Sequence, residues 1–119
     1  MMIFLTMIFL HIIDDYVLQG ILAQMKQKKF WEDNAPNEMY KYDYIWALIM
    51  HSFSWTFMIM LPLALCGASI SPLFYFFFVI NILIHGFTDD LKANRFRINL
   101  WEDQLIHMLQ ILATFVALH

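Results

Sequence analysis

The chain has 119 residues, 61% of them hydrophobic and only 14% charged, against roughly 25% charged in an ordinary soluble domain; its mean hydropathy is +0.60. A soluble protein this small has proportionally more surface to cover and should be more polar, so a soluble globular domain and a disordered chain are both excluded. The net charge of −3 offers no broad basic face and excludes nucleic acid as a partner. Cys66 is the one cysteine, so there is no internal disulfide and no thiolate-built zinc site. An integral membrane protein remains.

Four stretches approach the roughly 20 residues that cross about 30 Å of hydrocarbon: 3–23, 44–66, 70–88 and 100–118. They are too long and too evenly apolar for barrel strands, and only helices or closed barrels satisfy their backbone in lipid. The predicted fold is all-α, one four-helix transmembrane bundle over 1–119. The N-terminus lacks a basic leader and a small-residue cleavage site, so the first stretch reads as a retained helix that continues near Lys26 to Trp31 as an interfacial segment. Trp31, Tyr40, Tyr42 and Tyr44 suit the headgroup level. Gly67 to Pro72 is a tight turn, with Pro72 near the start of the third helix. All seven cationic residues, Lys26, Lys28, Lys29, Lys41, Lys92, Arg95 and Arg97, fall in the loops 24–43 and 90–99. Cytoplasmic loops collect Lys and Arg, so both loops are expected inside and both termini outside.

The apolar spans carry costly exceptions. His11, Asp14, Asp15 and Gln19 lie in the first, His51 in the second, Asn81, His85, Thr88 and Asp89 in or at the end of the third, and Asp103, Gln104, His107 and Gln110 in the fourth. A carboxylate at mid-span costs about 2.5–3.5 kcal/mol even on the lenient insertion scale, so these groups must be paired or liganded. Three His/Asp pairs are spaced i, i+4: His11 with Asp15, His85 with Asp89, and Asp103 with His107. That spacing puts both members on one helix face. Tyr44, Ala47, His51 and Trp55 share a face of the second helix. With the predicted topology these stripes reach a similar depth in the cytoplasmic half; His51 and His107 each lie about seven residues in, roughly 10 Å at 1.5 Å per residue.

Imidazole and carboxylate without thiolate suit zinc best, with manganese or iron as alternatives. His11, Asp15, His51, His85, Asp89, Asp103 and His107 are the predicted ligands. Seven exceed what one tetrahedral ion needs and suit two ions bridged by a carboxylate, an arrangement that hydrolyses phosphate esters. Asp14, Gln19, Asn81, Asp90 and Gln104 are positioned to orient ligands. Asp14 and Lys92 are the catalytic candidates, Lys92 as a substrate-phosphate contact with topology anchor as the plainer role. Arg95 and Arg97 read as headgroup contacts, the nine methionines as packing, and Cys66 as inert.

These motifs, His11-Ile-Ile-Asp14-Asp15-Tyr16-Val-Leu-Gln19, a lone His51, His85-Gly-Phe-Thr-Asp89-Asp90-Leu-Lys92 and Asp103-Gln104-Leu-Ile-His107, resemble an uncharacterised family of small bacterial and phage multi-span membrane proteins. They are more distantly similar to membrane-bound, metal-dependent hydrolases of the bacterial inner membrane. The resemblance covers nearly the whole chain and implies a four-span bundle with a metal site in that membrane. The expected function is a membrane-embedded metal-dependent hydrolase acting on a phosphorylated lipid or other phosphoester, among membrane lipids and compatible with an oligomer. A proton or metal-ion pathway is the alternative, but the outer halves of the spans offer little polar track. A holin-like phage protein comes third, because pore formers have no need of paired His/Asp ligands.

Overall fold

The computed structural model describes residues 1–119, and the chain is all-helical, without a strand. The long helices are α1 (Met2–Ile13), α4 (Asp43–Leu65), α5 (Pro72–Ala93) and α6 (Leu100–Leu118), with two short helices, α2 (Leu22–Met25) and α3 (Lys28–Asn34), between α1 and α4. α4 packs against α1, α5 and α6, and α6 closes the group against α1 and α5. Ile3, Leu63, Phe74 and Leu118 meet in one apolar cluster with Met7, Trp55, Ile59 and Ile111. The start of α1, the end of α4, the start of α5 and the end of α6 therefore lie together, so successive long helices alternate in direction.

The helix ends follow local chemistry. Ser71 caps α5 by accepting from the Phe74 amide, and Pro72 occupies the first turn, where its missing N–H leaves no donor wanting. Asn99 and Glu102 form a reciprocal capping box at the start of α6. α4 ends at Gly67, whose φ of +90° lets the Ala68 amide reach back to the Leu63 carbonyl. α5 ends in the same way at Phe96, a non-glycine held at φ +52°, with the Arg97 amide on the Leu91 carbonyl. Gly86 sits where α5 crosses α4, and a Cβ there would lie 2.9 Å from Ser52 Oγ.

The first predicted span is corrected. It is not one α-helix over 3–23: α1 stops at Ile13, a π-helical turn takes Asp14–Leu18, and Gly20 at φ +50° turns the chain into α2. The expected interfacial continuation is likewise broken, with Gln27 extended before α3 begins. Two helical runs, Glu38–Leu65 and Pro72–Ala93, are long and apolar enough to cross a membrane. α1 is too short by that measure, and α6 carries Glu102, Asp103, Gln104, His107 and Gln110 along its 19 residues.

Candidate metal centre

All seven residues predicted as ligands are buried, at 0–8% exposure, and meet at one level of the helix group. α1 and the π turn deliver His11 and Asp15, α4 His51, α5 His85 and Asp89, and α6 Asp103 and His107. The π turn matters here. An α-helix turns successive side chains 100° apart, whereas this widened turn leaves neighbouring Asp14 and Asp15 both buried. Asp14 faces α4, where Ser54 Oγ donates to its Oδ1 at 2.6 Å; Asp15 faces the three histidines of α4, α5 and α6.

At the centre, His51 Nε2 and His85 Nε2 lie 3.1 Å apart. Asp15 Oδ1 is 3.3 Å from His51 Nε2 and 3.9 Å from His85 Nε2. Asp89 Oδ2 stands 3.4 and 3.8 Å from the same two nitrogens. Four-coordinate zinc with bonds of 2.0–2.1 Å separates its donors by about 3.3 Å, so Asp15, His51 and His85 are spaced as ligands of one ion. Asp15, His51 and His85 form one set of donors mutually within 4.8 Å, and His85, Asp89 and His107 form another. Asp15 Oδ1 and His85 Nδ1 have no hydrogen-bond partner although buried. Such orphaned atoms are costly in a dry interior.

His51 Nδ1 lies 3.7 Å from Asp14 Oδ2, beyond hydrogen-bond distance, and neither atom has a hydrogen-bond partner. Asp14 is fully buried, and its one side-chain hydrogen bond is the one from Ser54. His11 is corrected as well. Trp55 Nε1 donates to His11 Nδ1 at 2.7 Å, and His11 Nε2 lies 3.1 Å from Gln104 Oε1, so both ring nitrogens are used and no lone pair remains for an ion. Asn81 does not reach the donors; its amide donates to Thr114 Oγ1 at 2.8 Å and accepts from Gln110. Asp90 turns away to Arg95 Nε at 2.8 Å and to Asn94.

Lys26 is the residue that sequence reasoning missed. Grouped with the loop cations, it is in fact 6% exposed, and its Nζ donates to Asp89 Oδ2 at 2.6 Å and to Gln19 Oε1 at 3.0 Å. No local signal marks it: Gly20 at φ +50° breaks the helix between Gln19 and Lys26, so the spacing of the first stripe does not carry through to the lysine. Asn94 Nδ2 donates to the Lys26 carbonyl and Asn94 Oδ1 accepts from the Lys28 amide, tying this segment to the end of α5. Lys92 Nζ lies 2.5 Å from Asp103 Oδ2, with the side chain about a third exposed.

Asp14, Asp15, Asp89 and Asp103 are buried around the centre, with buried Lys26 on Asp89 and part-exposed Lys92 on Asp103 as their cationic partners. Comparison with protein-family models, curated proteins and solved structures finds no match to this chain.

Proposed function

We propose that the chain is an integral membrane protein of four spans that holds a divalent metal ion, zinc first, between Asp15, His51 and His85 and hydrolyses a phosphoester at the cytoplasmic face, a phosphorylated lipid being the substrate class. One observation carries the metal reading: buried donors from the π turn, α4 and α5 converge at ligand spacing, and Asp15 Oδ1 among them has no hydrogen-bond partner. The membrane reading is supported by an inverted burial pattern. Sixteen of the 26 buried residues are polar or charged, while Leu5, Phe9, Ile49, Phe53, Phe76, Leu83, Leu105 and Val116 are exposed along the long helices. Water-soluble proteins bury the opposite set. On this reading, and on the resemblance to small bacterial and phage membrane proteins, the membrane is the bacterial inner membrane.

A divalent ion in this centre would supply an activated water and charge to hold phosphoryl oxygens. The chain supplies the rest. Lys92, about a third exposed in its side chain, borders the centre on the side of the basic loop, where an anionic headgroup would arrive. Lys26 keeps a second ammonium beside Asp89. The pathway alternative is less well served: the buried polar chain from His107 through Gln110 and Asn81 stops at Thr114, and the apolar cluster of Phe74, Ile111 and Leu63 follows.

Two results test the reading. Reporter fusions after Lys28 and after Arg97 are expected to read cytoplasmic and one at Ser69 external; a cytoplasmic signal at Ser69 overturns the topology. Protein purified from membranes is expected to retain zinc or manganese and to turn over members of a phospholipid and phosphoester panel. Tight metal binding without turnover, together with proton or metal-ion flux in liposomes, would replace hydrolysis by the pathway reading.

A further inference from the structure

We infer that the centre has a second metal position, formed by His107 and Asp103 and bridged to the first by the carboxylates of Asp89 and Asp15. The inference rests on the metal reading above and extends it from one ion to a bridged pair. It starts from how the two carboxylates divide their oxygens. Asp89 turns Oδ2 toward His51 and His85 and Oδ1 toward His107, at 3.6 Å from its Nε2. Asp15 does the same, with Oδ1 toward His51 and His85 and Oδ2 toward His107 at 4.0 Å. Two carboxylates from different elements thus each face two poles, as bridging ligands do.

The second pole has its own unsatisfied donors. His107 Nε2 and Asp103 Oδ1 lie 3.4 Å apart, close to the roughly 3.3 Å expected between donors on one small ion. Both residues are 0% exposed, and neither atom has a hydrogen-bond partner. The remaining atoms of these residues are held in place: Asp103 Oδ2 accepts from Lys92 and from Gln104, and His107 Nδ1 faces Gln110 Oε1 at 3.4 Å. A proton on Nδ1, shared with Gln110, leaves Nε2 as the lone pair aimed at the pole. Gln110 is fixed in turn by its amide on Asn81 Oδ1. His11 Nδ1 also approaches Asp15 Oδ2, at 3.6 Å, but it is already taken by Trp55.

The test is metal stoichiometry on the full-length protein in detergent micelles, stripped with chelator, reloaded with manganese and dialysed. Two ions per chain are expected, with a spin-coupled manganese spectrum in place of the signal of isolated ions. Inorganic phosphate is expected to bind the two-ion form at least tenfold more tightly than the metal-free form. His107→Gln and Asp103→Asn are each expected to bind one ion and to lose the coupled spectrum. One uncoupled ion in the unsubstituted protein overturns the inference and leaves the single-ion reading standing. No bound ion overturns both. Two ions without spin coupling overturn the bridge. Because the coupled spectrum is read on the unsubstituted protein, a variant that fails to fold does not decide the outcome.

Discussion

His85→Ala is expected to lower affinity for the first divalent ion by more than about 100-fold and to remove hydrolysis with it. Loss of a group that merely orients a ligand already costs about 10–100-fold, and His85 belongs to both groups of buried donors close enough to share an ion. Its ring also packs against both Trp55 and His107, with ring centroids 4.2 Å away in each case. The vacancy would therefore loosen the neighbouring donors as well as delete one. Titration calorimetry with zinc, beside turnover of a phosphoester, checks the first claim, and circular dichroism checks that the helices persist. Arg97→Ala is the matched control: exposed and outside the donor set, it is expected to leave zinc binding unchanged and to weaken only the capture of an anionic substrate. Zinc bound by His85→Ala with unchanged affinity would eliminate the His51–His85 pair as the core of the centre.

The donors were legible in the sequence because their chemistry conflicts with their surroundings. A pair such as Asp103 and His107, one turn apart in an apolar stretch, has few ways to be satisfied, and turning inward toward partners of like kind is the cheapest. His51 stood alone on its helix, yet its face with Ala47 and Trp55 gave its direction, and all three are buried. What remained hidden depends on contacts between elements. The π turn at Asp14–Leu18 inserts a residue that periodicity arguments assume absent, so it decides which of two adjacent aspartates faces which helix. His11 carries the same i, i+4 signature as the other predicted ligands, and only the indole of Trp55, 44 residues along the chain, takes its lone pair. Lys26 shows the same limit from the other side. Charge rules assign a loop lysine to solvent, and nothing local says that Asp89 will receive it.

Trp55 links the two halves of this molecule, the donor cluster and the apolar core, so its removal is expected to have the largest effect on stability. It is fully buried, its ring lies 21° from parallel to His85 and edge-on to His11, and it belongs to the core cluster with Met7, Ile59 and Ile111. Trp55→Ala is expected to cost about 3–5 kcal/mol, read as a large drop in the unfolding midpoint in detergent, and to disorder the His85 ring enough to weaken metal binding. Trp55→Phe keeps most of the packing and loses the donor to His11 Nδ1, at about 1–3 kcal/mol for the acceptor left unpaired. That freed nitrogen then becomes a new lone pair 3.6 Å from Asp15 Oδ2, so Trp55→Phe alone is expected to let His11 compete for the ion. The combination with His11→Gln separates the two effects. If the indole–imidazole bond carries the loss, the Trp55→Phe cost shrinks in the His11→Gln background by at least about 0.5 kcal/mol, the size at which coupled neighbours depart from additivity. Strict additivity would mean that Trp55 holds the centre through packing alone, and that His11 is kept out of the donor set by something other than the bond seen here.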